Sequence, residues 1–432
     1  MKWKSHSSMK ESGHQWIGPI PTHWEIQRIG KFFSERREKV SDRDFPPLSV
    51  TKNGVVPQLE HAAKSDDGDN RKRVAIGDFV INGRSDRKGS SGVSNLDGSV
   101  SLINLVLKPK GIAPAFIHYL FRSDPFKEEF YRWGNGIVAD LWSTGFSEMK
   151  VIQMPVPPAM EQDLIASYLD HEIPKIEALI NEQRNLIERL REKRLAVIHN
   201  AVTKGLSPGC RMRESGKDWI GSVPAHWDVL KIKYVAKINS GHTPSRQNPS
   251  WWIPDECTIP WVSLNDTKAL AENDFISDTQ IKISPLGMQN SSAHLIEAGA
   301  VVMNRDGARV GLTAITTVPM CVSQHMIAWV CSPKIQNEFL LYVLYAMNDE
   351  LYRIAWGSTI PTIGMNDVFQ LSTPVPPIEE QRSIISTLRG ELKTLDNLIL
   401  ETQASIALLQ EHRSALITAV VTGKVDVRKA IS

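Results

Sequence analysis

Cysteine is scarce in this 432-residue sequence: Cys210, Cys257, Cys321 and Cys331 lie too far apart for a CxxC ligand pair. That spacing argues against a thiolate zinc site or a disulfide framework and for a reducing compartment. Long apolar runs are missing as well. No stretch approaches the ~18 residues of a membrane span, and Met1 to Ser8 is basic and polar, without the apolar core of a signal peptide. We therefore expect a cytoplasmic protein with no membrane partner. Charge of one sign is not in excess, with Lys+Arg 50 against Asp+Glu 48 and a net charge of +2. Any nucleic acid must then be met by local basic clusters rather than by an overall field. Chemistry-bearing motifs are absent too: no glycine-rich loop between a strand and a helix, no Asn-Pro-Pro-aromatic or Asp-Pro-Pro-aromatic segment, no GxxxxGK[ST] and no HExxH. The histidines show no metal spacing. The expectation is a chain without catalytic residues, bound cofactor or metal.

What the sequence has is a duplication. Glu11-Ser12-Gly13, Trp16-Ile17-Gly18, Pro21 and His23-Trp24 recur as Glu214-Ser215-Gly216, Trp219-Ile220-Gly221, Pro224 and His226-Trp227, a constant shift of 203 residues. Pro155-Val156-Pro157-Pro158 and Gln162 recur as Pro374-Val375-Pro376-Pro377 and Gln381, now shifted by 219. The second copy has therefore gained a net 16 residues between Trp227 and Pro374, the difference between the two shifts. Length varies inside each copy and is fixed at its ends.

After each Pro-Pro pair comes a heptad stripe. In the first copy it is Ile165, Leu169, Ile173, Ile176, Ile180, Gln183, Ile187, Leu190, Arg194, Val197 and Ala201. Adding 219 gives Ile384, Leu388, Leu392, Leu395, Ile399, Thr402, Ile406, Leu409, Arg413, Leu416 and Val420. Steps alternating between four and three residues place one apolar seam on a helix. Proline is tolerated in a first turn and glycine favoured past a last one, so Pro158 and Gly205, and Pro377 and Gly423, mark the ends. Pro174 should kink or briefly break the first helix near Glu172. Two matched seams separated by a whole globular block favour an antiparallel pair. Ile176, Ile180, Ile187 and Leu190 would face Leu395, Ile399, Ile406 and Leu409, with Gln183 opposite Thr402, and Arg194 with Arg413, setting register.

Between the shared ends lie two variable blocks of mixed α and β character. Val80-Ile81 and Val301-Val302-Met303 read as strands following Gly77 and Gly299, and Leu102 to Leu107 and His325 to Val330 alternate like strands. A helical patch follows in each, marked by Phe116 and Tyr119, then Phe339 and Tyr342. Each block closes on a glycine-bearing loop, Gly134-Asn135-Gly136 or Gly357-Ser358-Thr359. The reading is an α+β chain with two pseudo-two-fold-related mixed α/β domains separated by two long antiparallel coiled-coil helices. Its divisions are residues 1–157, 158–205, 206–376 and 377–432.

With ESGxxWIGxxPxHW and PVPPxxEQ each present twice, and Pro47-Leu48-Ser49-Val50-Thr51 and Ile259-Pro260-Trp261-Val262-Ser263 inside the blocks, the chain resembles the specificity (S) subunit of type I restriction-modification enzymes over essentially its whole length. The resemblance implies two target-recognition domains, each reading one half of a split, asymmetric site on double-stranded DNA. It also implies two methyltransferase (M) subunits that carry S-adenosylmethionine and methylate adenine, and restriction (R) subunits that carry the nuclease. Pro174 departs from the internal repeat, Lys393 standing at the matching position of the second copy.

Reading base edges needs Arg or Lys for guanine and Asn or Gln for adenine, with further cations for phosphates. The first block offers Arg71, Lys72, Arg73, Asn82, Arg84, Arg87 and Lys88 beside flexible glycines; the second offers Arg246, Gln247, Lys268, Asn304, Arg305 and Arg309. Asn82-Gly83-Arg84 and Asn304-Arg305 stand out because both follow matched strands, 222 residues apart. Trp16, Trp24, Trp219 and Trp227, in the repeated rather than the variable parts, read as packing residues. The 36 steps from Ile165 to Ala201 span roughly 54 Å as a straight helix. That matches roughly 16 base pairs of duplex, room for two reading heads about one turn apart. Two alternatives remain: a self-contained methyltransferase or nuclease, and a coiled-coil scaffold with no DNA role.

Overall fold

A computed structural model describes residues 5–60, 68–136, 142–356 and 361–429. They pack as two compact units, one of residues 1–184 and 403–432, the other of residues 185–402. Each takes half of both long helices, Ala159–Lys204 and Ile378–Val421.

The repeated motifs build the frame of each unit. In the first, strand Met9–Glu11 pairs with Pro19–Pro21, and Glu25–Arg28 pairs with Gln153–Val156, which closes the variable block on itself immediately before the helix. In the second, Met212–Glu214 pairs with Ser222–Pro224, and Asp228–Lys231 with Ser372–Val375. Trp24 and Trp227 are fully buried and Trp16 and Trp219 pack against the same cores, so all four are packing residues.

The Glu-Gln of PVPPxxEQ has a physical reason. Buried Gln162 accepts from Ala113 N at 2.8 Å, at the start of helix Pro114–Leu120, and donates to Pro157 O at 2.9 Å. Gln381 does the same for Gln336 N and Pro376 O, ahead of helix Asn337–Ala346. One amide thus satisfies backbone groups at the start of two helices at once.

In the first unit the central sheet runs, in order, Ser91–Val93, Phe79–Asn82, Asn104–Pro109, Phe33–Glu35, antiparallel throughout. In the second it runs Ala236–Ser240, Met326–Cys331, Val301–Asn304, Thr313–Thr316, with Phe275–Ile276 added in parallel at the edge. The strands expected at Val80 and Val301 are present and wholly buried. The offset between copies rises from 203 at Phe33 and Ala236 to 222 at Phe79 and Val301, then falls to 219 at Phe146 and Met365. The extra length therefore enters before the central strand, where the second copy carries helices Pro249–Trp251, Pro254–Glu256 and Thr267–Glu272.

Within each unit the helix halves run antiparallel. In the first, Glu161 lies near Asp426 by way of His6, and Glu177 pairs with Arg413. In the second, Gly205 approaches the Glu380 carboxylate and Arg194 pairs with Asp396. The seam positions Ile176, Ile180, Ile187 and Leu395 are buried, Leu190, Ile399, Ile406 and Leu409 partly so, while Leu179, Leu186, Leu398 and Leu408 face out. Gly205 and Gly423 end the helices with φ of +72° and +74°, the left-handed turn that favours glycine. A Cβ at Gly423 would stand 2.3 Å from Pro21, so two constraints exclude any other residue.

Two expectations need correction. Helix Ala159–Lys204 continues through Pro174, so the break is not present. Pro174 and Asp170 both lie on the exposed face, where water can satisfy the carbonyl that loses its ladder bond. Arg194 and Arg413 do not meet each other; each pairs with a carboxylate. Gly357-Ser358-Thr359 lies outside the described residues. Among the described residues no helix is long and apolar enough to cross a membrane.

Candidate nucleic-acid interface

In both units the polypeptide leaves the central strand into a loop clamped from two sides. Gly83 N donates to Ile103 O and its carbonyl accepts from Thr144 N at 2.9 Å. In the second copy Arg305 N donates to His325 O at 3.0 Å and its carbonyl accepts from Ile363 N at 2.9 Å. The bridges Arg84 to Ser143 and Asp306 to Thr362 complete the correspondence. Backbone bonds thus hold both loops in place.

The candidate side chains divide into those that build the loops and those that project from them. Arg71 is buried and donates to Ser99 Oγ and O; Lys72 is held by Glu35 and Asn104 O; Arg73 pairs with Asp97 and stacks 3.7 Å from the Phe45 ring centre. Asn82 is buried, its Oδ1 capping Arg84 N at 3.0 Å. Asn304 is buried too: its amide donates to Asp306 O and Arg309 O and accepts from Leu312 N, closing the 304–312 loop. Arg305 donates to Gln324 O and Ile363 O. The side chains of these six are engaged within their own unit.

Arg84, Arg87 and Lys88 project, sharing Asp86 and Glu128 as carboxylate partners at 3.0, 3.8 and 2.5 Å. Such exposed pairs are worth little and exchange readily for a phosphate. Arg246, Gln247, Lys268 and Arg309 are exposed in the second unit, Arg246 lying 4.9 Å from the Trp252 ring centre. Lys268 and Arg309 line a groove of ≈ 580 Å³ together with Asn304 and Asp306.

Sequence reasoning missed the polar network beside that groove. Asp306 Oδ2 lies 2.7 Å from His325 Nδ1, Gln324 Nε2 lies 3.1 Å from His325 Nε2, and Thr243 Oγ1 donates to Gln324 Oε1 at 2.5 Å. In the sequence His325 stands only at the start of an alternating strand pattern. It missed a matched aromatic pair as well. Trp133 and Trp356 follow equivalent helices, Asp124–Arg132 and Asn348–Ala355, and are 39% and 85% exposed, against the buried state of Trp24 and Trp227. A tryptophan immediately before a glycine loop, in both copies, was the available signal.

Residues 224–410 match the family model of the type I restriction modification DNA specificity domain. The chain is 23% identical to the putative type I restriction enzyme MjaX specificity subunit of Methanocaldococcus jannaschii, over 95% of this chain and 96% of that protein. It is 22% identical to the MjaVIII specificity subunit of the same organism, over 95% and 94%. A solved chain from work on complex assembly and conformational transition of the type I R-M system superposes with a TM-score of 0.71 at 17% identity, covering 94% of this chain and 99% of that one. The HsdS subunit of Thermoanaerobacter tengcongensis gives 0.52 at 18% identity, covering 96% and 100%. Motif, full-length likeness and fold agree: residues 224–410 match the type I restriction modification DNA specificity domain, and the chain as a whole is similar to the specificity subunits of type I restriction enzymes.

Proposed function

We propose that each unit reads one short block of a bipartite, asymmetric site on double-stranded DNA, and that the paired helices set the unread gap between the blocks. The observation that supports this most is the duplication: two clamped loops of the same plan carry different side chains, Arg84, Arg87 and Lys88 in one and Arg305 and Arg309 in the other. Shared placement with unshared chemistry is what two different half-sites require.

In this reading the chain docks two M subunits, which hold S-adenosylmethionine and take the target adenine out of the stack to methylate it. R subunits join that assembly. The whole works in the cytoplasm. Mapping methylated adenines in the host genome tests the proposal: two short blocks around a fixed number of unread bases are expected. A continuous site, or methylation without sequence preference, would overturn it.

A further inference from the structure

His6, His23 and Glu161 come from three separate stretches of the first unit: the segment before the first hairpin, the turn after it, and the first turn of helix Ala159–Lys204. Glu161 Oε2 lies 2.7 Å from His23 Nε2, and its Oε1 lies 3.8 Å from His6 Nε2. The His6 side chain is 2% exposed and that of Glu161 6%. Yet His6 Nε2 and Glu161 Oε1 have no hydrogen-bond partner among the described residues. Burying such atoms unsatisfied costs on the order of 1 to 3 kcal/mol each, and these two face one another across a gap too long for a hydrogen bond.

The gap fits a cation. One donor atom from each of the three residues can be chosen so that all lie within 4.8 Å of one another. Imidazole nitrogen and carboxylate oxygen bind zinc at about 2.0 to 2.2 Å in a tetrahedral arrangement, which puts neighbouring donors about 3.3 Å apart. The 2.7 and 3.8 Å separations, to the two oxygens of Glu161, bracket that distance, and no two of the chosen donors are more than 4.8 Å apart, so side-chain adjustment completes the cage. Behind His6, Asp426 Oδ2 stands 3.9 Å from Nδ1 and Arg428 Nη2 stands 3.2 Å from it. Arg428 is itself gripped by both Asp426 oxygens, at 2.8 and 3.0 Å. A guanidinium can only donate, so ligation through Nε2, which puts the hydrogen on Nδ1, requires that edge of the ring to turn from Arg428 to the Asp426 carboxylate, the backing that steadies a ligating imidazole.

The second copy serves as an internal control. Gly209 occupies the position 203 residues beyond His6, and Glu380 Oε2 is engaged by both His226 Nε2 at 2.9 Å and Trp227 Nε1 at 3.0 Å. In the first copy Trp24 Nε1 makes no such bond. A second imidazole has replaced the indole as the neighbour of the carboxylate, and Glu161 Oε1 is left buried without a hydrogen-bond partner among the described residues.

We propose that His6, His23 and Glu161 form a three-ligand site for a zinc-class divalent cation, a clip joining the segment before the first hairpin to the start of the first long helix. Linear spacing conceals it, because positions 6, 23 and 161 form no motif. His23, whose side chain is 36% exposed, leaves the fourth position open to water.

The test uses the full chain, stripped with EDTA and titrated with Zn²⁺ and with Co²⁺. One equivalent of Zn²⁺ should bind and raise Tm by several degrees, since a ligand held only by the native state stabilises it, and Co²⁺ should give visible d–d absorption. His6→Ala and His23→Ala should each weaken binding at least tenfold and remove that absorption, whereas His226→Ala leaves both unchanged. His6→Gln, which keeps a polar group in place, guards against a folding defect and should behave as His6→Ala with an unaltered circular dichroism spectrum. Failure of the wild-type chain to bind a stoichiometric metal, or binding that survives both His6→Gln and His23→Ala, would overturn the proposal.

Discussion

Arg194 Nε donates to Asp396 Oδ1 at 3.0 Å, and the same pair of positions recurs with the helices exchanged, as Arg413 with Glu177. Arg413 lies 219 residues after Arg194, and Asp396 lies 219 after Glu177. Only antiparallel helices in a fixed register make one repeat position meet its counterpart twice. We expect Arg194→Ala or Arg413→Ala to cost about 0.5 to 1 kcal/mol, because both pairs are partly exposed. Combining Arg194→Asp with Asp396→Arg should recover most of the loss in a double-mutant cycle of urea unfolding. Strictly additive losses would mean the pair does not set register.

The seam itself should matter more. Ile180 is 1% exposed and Leu179 beside it 47%. Ile180→Ala should destabilise by about 2 to 4 kcal/mol and Leu179→Ala by under about 0.5 kcal/mol. Equal effects in denaturant titrations would place the seam elsewhere.

Acid should loosen the first unit through His118. Its pKa falls from 6.5 to about 4, because burial disfavours the cation and the Arg122 guanidinium lies beside it. The unfolded chain takes up this proton near pH 6.5, while the folded chain resists until about 4. Stability from the neutral ring is thus fully present above pH 6.5 and declines as pH falls towards 4, by up to about 1.4 kcal/mol per pH unit. Subtracting the His118→Gln unfolding profile from that of the unaltered chain isolates this slope between pH 7 and 4.5. A flat difference would rule the ring out as its source.

Loop substitutions should separate scaffold from contact. Lys268→Ala and Arg309→Ala should lower DNA affinity of the full complex about tenfold without moving Tm, since these side chains project. Asn304→Ala should instead cost about 1 to 3 kcal/mol of stability by orphaning loop backbone groups. Trp356→Ala should weaken DNA binding at unchanged stability, consistent with an aromatic face open to bases. Melting and filter binding on the same preparations decide each case.

The frame was legible before any coordinates because its signals are local and doubled: the heptad of Ile176 and Ile180, the glycines at 205 and 423, the strands at Val80 and Val301. Positions within the loops were less so. Asn82 and Asn304 hold equivalent places at the ends of their strands, but that Asn304 closes a turn is visible only from Leu312 N and Arg309 O around it. Pro174 misled because its cost depends on which face of the helix it occupies. The Glu161 cluster was hidden because its three members are joined only by tertiary folding.

The central claim is that helix length in this chain sets spacing on DNA. Inserting one four-residue helical turn in both long helices, near Leu186 and Ser405, and mapping the adenines methylated by the assembled complex tests it most directly. The account predicts two unchanged half-sites separated by a longer unread gap. A changed half-site with the original gap would contradict it.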